Sequence, residues 1–183
     1  MLEQTPIARD GSGAPPETTL VSSFINAFTS EGKFVWNSLR RLGVKRVDLE
    51  DLTHEVFIAV HRHWHEYDTT RPLRPWLFGF TYHTATRYLD LARHTREVLD
   101  DQPDAIDPVS GADERLGKAR LQAKLQSALD GLPLEQKAVF IMHDVDETPI
   151  PDVAQTLGIP LNTAYSRLRL ARAAIKKTVG GEQ

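Results

Sequence analysis

The sequence predicts an all-α protein: two small helical domains joined by an acidic flexible linker, the C-terminal one carrying a helix-turn-helix. Three observations lead there. Apolar residues recur at steps of three and four over residues 19–96 and again over 114–179, and no stretch alternates apolar and polar residues as a half-buried strand does. Residues 97–117 hold 7 acids and 1 base, whereas residues 1–96 hold 11 and 12 and residues 118–183 hold 7 and 9. Finally, Ile150 to Lys177 reads as a short helix, a glycine turn and a longer, acid-free helix.

Taken in order, residues 1–18 are rich in Gly, Pro, Thr and Ser and are expected to be a disordered tail. A domain follows over 19–96. Its first helical pattern places Leu20, Phe24, Ile25 and Phe28, then Phe34, Val35, Leu39 and Leu42, on an inner face, with Gly32 expected to split it in two. Asp48 is positioned to cap the next helix, with Asp51 completing an approximate capping box. Leu52, Val56, Ala59 and Val60 form that helix's inner face through to about Trp64. Residues 68–74 form a turn, and Pro75 suits the first position of a third helix. There Trp76, Leu77, Phe80, Thr84, Tyr88 and Leu91 make the packed stripe, with His83, Arg87, Asp90 and His94 on another face. Residues 97–113, EVLDDQPDAIDPVSGAD, have no apolar period and read as a linker. The second domain, 114–179, opens with a helix from Leu116 to Leu129 and another from Pro133 to about His143.

The helix-turn-helix completes it. Pro151 fits the first helical position, Val153, Ala154 and Leu157 give an apolar face, and Gly158 permits the left-handed end. In the second helix Ala164, Leu168, Ala171 and Ile175 form a buried stripe, while Tyr165, Arg169, Arg172 and Lys176 occupy the next face. With Arg167 and Lys177 there are five cations and no acid between Leu161 and Thr178. A rigid helix, basic outward and held by a shorter one, is shaped for a DNA major groove. The net charge of −3 does not oppose this, because the acid is concentrated in the linker.

The absence of cysteine excludes disulfides, cysteine–zinc sites and thiol chemistry. No apolar run approaches transmembrane length and no signal peptide is recognisable, so a cytoplasmic location is expected. His61, His63 and His65 form an HxHxH run, with His54 one turn pair earlier. Imidazoles at i and i+4 can ligate zinc or nickel, but no third ligand is obvious except Glu66, and surface histidines on a docking helix are the commoner case. No nucleophile–base pair, paired catalytic carboxylates or phosphate-cradling glycine loop stands out. The chain is expected not to be an enzyme and to use no metal, cofactor or small-molecule substrate.

DLTHEVF at 51–57, RPLRPWLFGF at 71–80 and the long run at 129–173, in that order and spacing, together resemble one family, the extracytoplasmic-function group of bacterial RNA polymerase sigma factors. DLTHEVF at 51–57 resembles its polymerase-binding signature, and RPLRPWLFGF at 71–80 the start of its promoter-melting helix. LDGLPLEQKAVFIMHDVDETPIPDVAQTLGIPLNTAYSRLRLARA at 129–173 is similar to its second conserved region. The resemblance covers about Phe34 to Thr178. It implies a dissociable polymerase subunit. Asp51, Leu52, His54, Glu55, Val56 and Phe57 would contact core polymerase. Tyr82, His83, Arg87 and Arg93 would read and open the minus-ten element. Asn162, Thr163, Tyr165, Ser166, Arg167, Arg169, Arg172 and Lys176 would meet the minus-thirty-five duplex. Core RNA polymerase, promoter DNA and an anti-sigma factor are the implied partners, and the acidic linker would thread the polymerase interior.

The chain departs from the family pattern in places. His54 stands where Gln is usual, and Arg87 where Asp is usual. Leu89-Asp90-Leu91 replaces consecutive arginines, so weaker promoter opening, or reliance on a helper, is expected. The alternative reading is a free-standing helix-turn-helix regulator with an N-terminal sensor or dimerisation domain.

Overall fold

The computed structural model describes residues 17–98 and 124–180. Seven helices are described: α1 (Glu17–Leu42), α2 (Leu49–His63), α3 (Leu73–Val98), α4 (124–130), α5 (Leu134–Phe140), α6 (Ile150–Thr156) and α7 (Leu161–Gly180). No strand occurs among the described residues. The first three helices pack mutually into one domain, and α5, α6 and α7 pack into the second. The expected tail (to residue 16) and nearly all of the linker lie outside the described residues, as does the expected helix from Leu116 up to residue 123.

The first domain closes around Val35, Leu39, Leu42, Leu49, Val56, Val60, Leu77 and Phe78, all fully or almost fully buried. Gly32 does not split the first helix: α1 runs unbroken through it. A mid-helix glycine costs about 0.5–1 kcal/mol, and the buried stripe formed by Ala27, Val35, Leu39 and Leu42 outweighs that. α1 ends where expected for a physical reason. Gly43 takes φ 108°, and the Gly43 and Val44 amides donate back to the Arg40 and Leu39 carbonyls, both at 3.1 Å. This is the paired reverse hydrogen bonding that a left-handed glycine permits.

Several local expectations are corrected. Asp48 precedes α2 but makes no side-chain capping bond; its Oδ2 instead accepts from the Tyr88 hydroxyl at 2.6 Å, tying α2 to α3. α3 begins at Leu73 rather than Pro75. Its packed stripe centres on Leu77, Phe78, Thr81 and Ala85, leaving Leu91 64% exposed. Ile25 and Phe28 of α1 are exposed as well. Trp76 does pack inside, edge-on to Trp64 (5.9 Å) and Phe80 (4.8 Å) and beside Tyr67 (5.0 Å).

In the second domain α5 does not stop near His143 but continues through a π-type turn, Ile141–Val145. Beyond it Glu147 takes φ 56°, held by the Thr148 amide donating to the Met142 carbonyl at 2.8 Å. The His143 ring reaches the Thr148 carbonyl at 2.9 Å. The helix-turn-helix forms as expected. Gly158 takes φ 62°, with the Gly158 and Ile159 amides donating to Gln155 and Ala154 at 3.2 and 3.0 Å. Val153 and Ala154 of α6 bury against Ala164, Leu168 and Ala171 of α7.

The two domains also touch. α6 lies on α3, and α5 lies beside α1.

Candidate polymerase and nucleic-acid interface

The outward side of α7 is built by its buried stripe. With Ala164, Leu168 and Ala171 fixed inward, Tyr165, Arg169, Arg172 and Lys176 are forced outward, and all four are exposed. Asn162 and Ser166 are also exposed near the helix start, whose first turn carries no acid. Thr163 and Arg167 are half-buried. Not every outward cation is equally available. Arg172 donates from Nε and Nη2 to the Asp144 carboxylate at 2.9 and 2.5 Å. That pairing holds the Asp144 carboxyl below its ordinary range and raises the arginine.

On α3 the four expected minus-ten residues separate into three situations. His83 is exposed. Arg87 is exposed but ion-paired with Glu55 of α2, and Arg93 lies 3.5 Å from Asp90 one turn away. Tyr82 is half-buried and turned toward the second domain. Burial first, then the Glu135 carboxylate of α5, push its hydroxyl up, with the Arg167 charge of α7 opposing. A cleft of about 680 Å³ opens beside His83. Its floor includes Tyr67, Trp76 and Phe80, its rim His63, Arg71 and His83, and its far wall Asp152, Gln155 and Thr156 of α6.

On α2 the expected contact run divides. Asp51 and His54 are exposed, and Leu52 and Glu55 are half-buried. Val56 and Phe57 are not surface residues at all: they are 0% and 3% exposed and form part of the core. A contact role for these two is therefore corrected to a packing role. The surface beside His54 and His61 is supplied instead by Ile58, and by Ile25 and Phe28 from α1. Phe28 meets Phe57 edge-on at 4.8 Å and Phe24 meets His61 at 4.9 Å, which aligns the two helices along this face. The reading from sequence missed these apolar residues because Ile25 and Phe28 fit the inner period. Ile58 was legible, since it falls just outside the stripe of Leu52, Val56, Ala59 and Val60.

The histidine run is occupied by local partners. His63 Nδ1 lies 3.1 Å and His65 Nε2 3.6 Å from Glu66 Oε1. Among the described residues no group of three or more His, Asp or Glu is placed to hold a metal ion. Nor is any described helix long and apolar enough to cross a membrane.

Comparison with known proteins places this geometry in a class. Residues 27–107 match the family model "Sigma-70 region 2", and residues 122–175 match "Sigma-70, region 4". The chain thus carries the two conserved regions of a transcription-initiation subunit. It is 31% identical over 147 residues to the ECF RNA polymerase sigma factor SigE of Mycolicibacterium smegmatis, covering 78% of this chain and 56% of that one. It is 28% identical over 157 residues to the sigma factor NccH of Alcaligenes xylosoxydans xylosoxydans, covering 83% and 84%. Two solved structures share the fold. One is CnrH in complex with the cytosolic domain of CnrY, with TM-score 0.64, 19% identity, and 91% and 96% of the two chains covered. The other is the sigma factor RpoE bound to the anti-sigma factor NepR from Bartonella quintana, with TM-score 0.68, 20% identity, and 88% and 99% covered. The chain belongs to the extracytoplasmic-function group of RNA polymerase sigma factors. A sensor domain unrelated to sigma factors is not favoured for the N-terminal half, which is where the region 2 match falls.

Proposed function

We propose that this chain acts in the cytoplasm as a binding subunit of core RNA polymerase, with no catalytic chemistry of its own, and that it directs initiation at a particular set of promoters. The N-terminal domain (19–96) docks on the polymerase through the outer face of α1 and α2. Asp51, His54 and the exposed parts of Leu52 and Glu55 form the polar side of that contact, and Ile25, Phe28 and Ile58 its apolar side. α3 takes the minus-ten element, with Tyr82, His83, Arg87 and Arg93 as its reading and melting residues. The acidic linker (97–113) crosses the polymerase interior. The C-terminal domain (114–179) takes the minus-thirty-five duplex.

The observation that carries the reading is the outward face of α7. It presents Tyr165, Arg169 and Lys176 with no acid among them, on a helix set by Gly158 in helix-turn-helix geometry. Arg169, in the N-terminal half of α7, is the candidate for a bidentate pair with guanine, worth about 1–3 kcal/mol of discrimination. Lys176 carries a phosphate contact, and with it salt dependence, while Arg172 can add one only when it leaves Asp144. Like the Bartonella quintana relative, whose structure is a complex with an anti-sigma factor, this chain is taken to be held in check by such a partner.

Run-off transcription from genomic fragments by core polymerase, with and without the purified chain, tests this function. New, discrete start sites that vanish with Arg169→Ala are expected. Transcription unchanged by adding the chain would contradict it.

A further inference from the structure

His83 and His94 stand eleven residues apart on the outward side of α3, and both are exposed. Eleven residues make about three helical turns, so the two imidazoles lie within roughly 20° of one another and about 16 Å apart along the axis. Arg87 and Asp90 fall between them, and with Thr86 and Leu91 these side chains line a shallow groove of about 460 Å³ on one face of the helix. Arg87 and Arg93 flank this face, and each is matched by an acid. Arg87 is ion-paired with Glu55 of α2, and Arg93 lies 3.5 Å from Asp90. From His83 to His94, with Glu55 included, two cations meet two carboxylates. This stretch is formally neutral while both imidazoles are neutral. A single strand of DNA is negative at every phosphate, and cations that displace its counterions carry the affinity. The two histidines therefore decide the sign of the face. Histidine is the side chain whose ordinary charge change falls between about pH 5 and 8.

The setting of His94 suits that use. Its Nδ1 lies 3.0 Å from the Asp90 carbonyl, one turn back. A carbonyl can only accept, so Nδ1 carries the hydrogen and the neutral ring keeps its lone pair on Nε2. A proton taken up at Nε2 leaves the existing bond intact and turns that nitrogen from an acceptor into a charged donor. His83 has different neighbours. Its ring centre is 6.0 Å from that of Tyr82, and it also edges the aromatic cleft. The titratable and charged groups facing it there are His63, Glu66, Tyr67, Asp68, Arg71 and Asp152. Glu66 and Asp68 are engaged locally, with His63 at 3.1 Å and Thr70 at 2.7 Å. Along α3 itself both imidazoles share the groove with Arg87 and Asp90.

We propose that His83 and His94 form a proton-gated phosphate site, which turns the outer face of α3 from neutral to cationic as pH falls and strengthens its hold on a single DNA strand in mild acid. The role of this site at a promoter rests on the sigma-factor reading above, which brings a strand to α3, and it adds His94 to the residues that meet that strand. Arg87 and Arg93 supply the fixed, paired part of the charge, and the imidazoles supply the variable part.

Binding of the purified full chain to fluorescently labelled single-stranded DNA of mixed sequence tests this. Salt titrations at about pH 5.5 and about pH 8 bracket the histidine range. Affinity is expected to be higher at the lower pH, with the slope of log affinity against log salt steeper by about 1.4, for two single-strand contacts at roughly 0.7 each. His83→Gln together with His94→Gln should abolish that increment, although five of the chain's seven histidines remain. His83→Arg together with His94→Arg should give the steeper slope at both pH values, because guanidinium stays charged throughout. Circular dichroism checks the folding of both pairs. Equal slopes for the natural chain at the two pH values, or an increment that the glutamine pair retains, overturn the site. In run-off transcription with core polymerase, the yield of the natural chain relative to the arginine pair should rise as pH falls. A constant ratio overturns the role at promoters. No transcription by either chain overturns the sigma-factor reading and that role with it, while the strand-binding slopes still decide the site.

Discussion

Arg172 and Asp144 form a bidentate pair, at 2.9 and 2.5 Å, across the helix-turn-helix domain, so a cation in the middle of the outward side of α7 is already engaged by its own fold. Asp144→Asn is expected to release it. Binding to a minus-thirty-five duplex should tighten, and the salt slope should steepen by about one phosphate contact. A salt titration of duplex affinity reads both. Acid cannot release the arginine at neutral pH. The Asp144 pKa is lowered on folding, so the pair's stabilisation is complete above the unfolded value and is lost only as pH falls through the folded one.

Asp146 titrates the other way. Burial, opposed by Arg41 and Arg74, raises it from 3.8 to about 6. The folded state therefore holds its proton more tightly than the unfolded one. Stability falls as pH rises through that window and stays reduced above it. Asp146→Asn should stabilise the folded chain at pH 7 by on the order of 1 kcal/mol, allowing for solvent on the open side of the group. The gain should shrink to nothing near pH 4. Thermal melts at the two pH values check this.

Glu55 holds Arg87 of α3 against α2. The pair is largely exposed, so Glu55→Gln should change stability by less than about 1 kcal/mol. With polymerase saturating, so that any loss of docking through Glu55 is offset, promoter opening should increase when the cation is free. Fluorescence of a base analogue in the minus-ten element, read with polymerase present, measures it.

Much of the fold was legible because helices report themselves by period and punctuation. Gly158, Pro151 and the stripe of Ala164, Leu168 and Ala171 defined the helix-turn-helix before any coordinates. Gly32 misled because propensity is a local quantity, whereas α1 is held by packing along its whole length. Gly32→Ala, with nothing within 4 Å of the added methyl, should stabilise the chain by about 0.5–1 kcal/mol in urea unfolding. The site was legible in its charges and not in its pairings. Arg87 and Arg172 were found by spacing and Tyr82 by the family resemblance, but their engagement by Glu55, Asp144 and the second domain depends on tertiary placement. Lys137 and Gln126 look like ordinary surface residues in sequence, yet they donate to the Leu42 and Arg40 carbonyls at the end of α1, so this contact between the domains had no signal. Val56 and Phe57 show a further limit: a family signature contains the residues that shape a surface as well as those that form it.

Capture of core RNA polymerase by the purified chain tests the central claim most directly. The variant should carry Asp51→Ala and Ile58→Ala together. Val56→Ala is unsuitable, since emptying that buried site costs about 2 kcal/mol of stability. The account predicts specific capture by the natural chain and loss of most of it by the folded double variant. No capture, or equal capture by both, would contradict the account, the first by removing the polymerase and the second by removing the α1–α2 face.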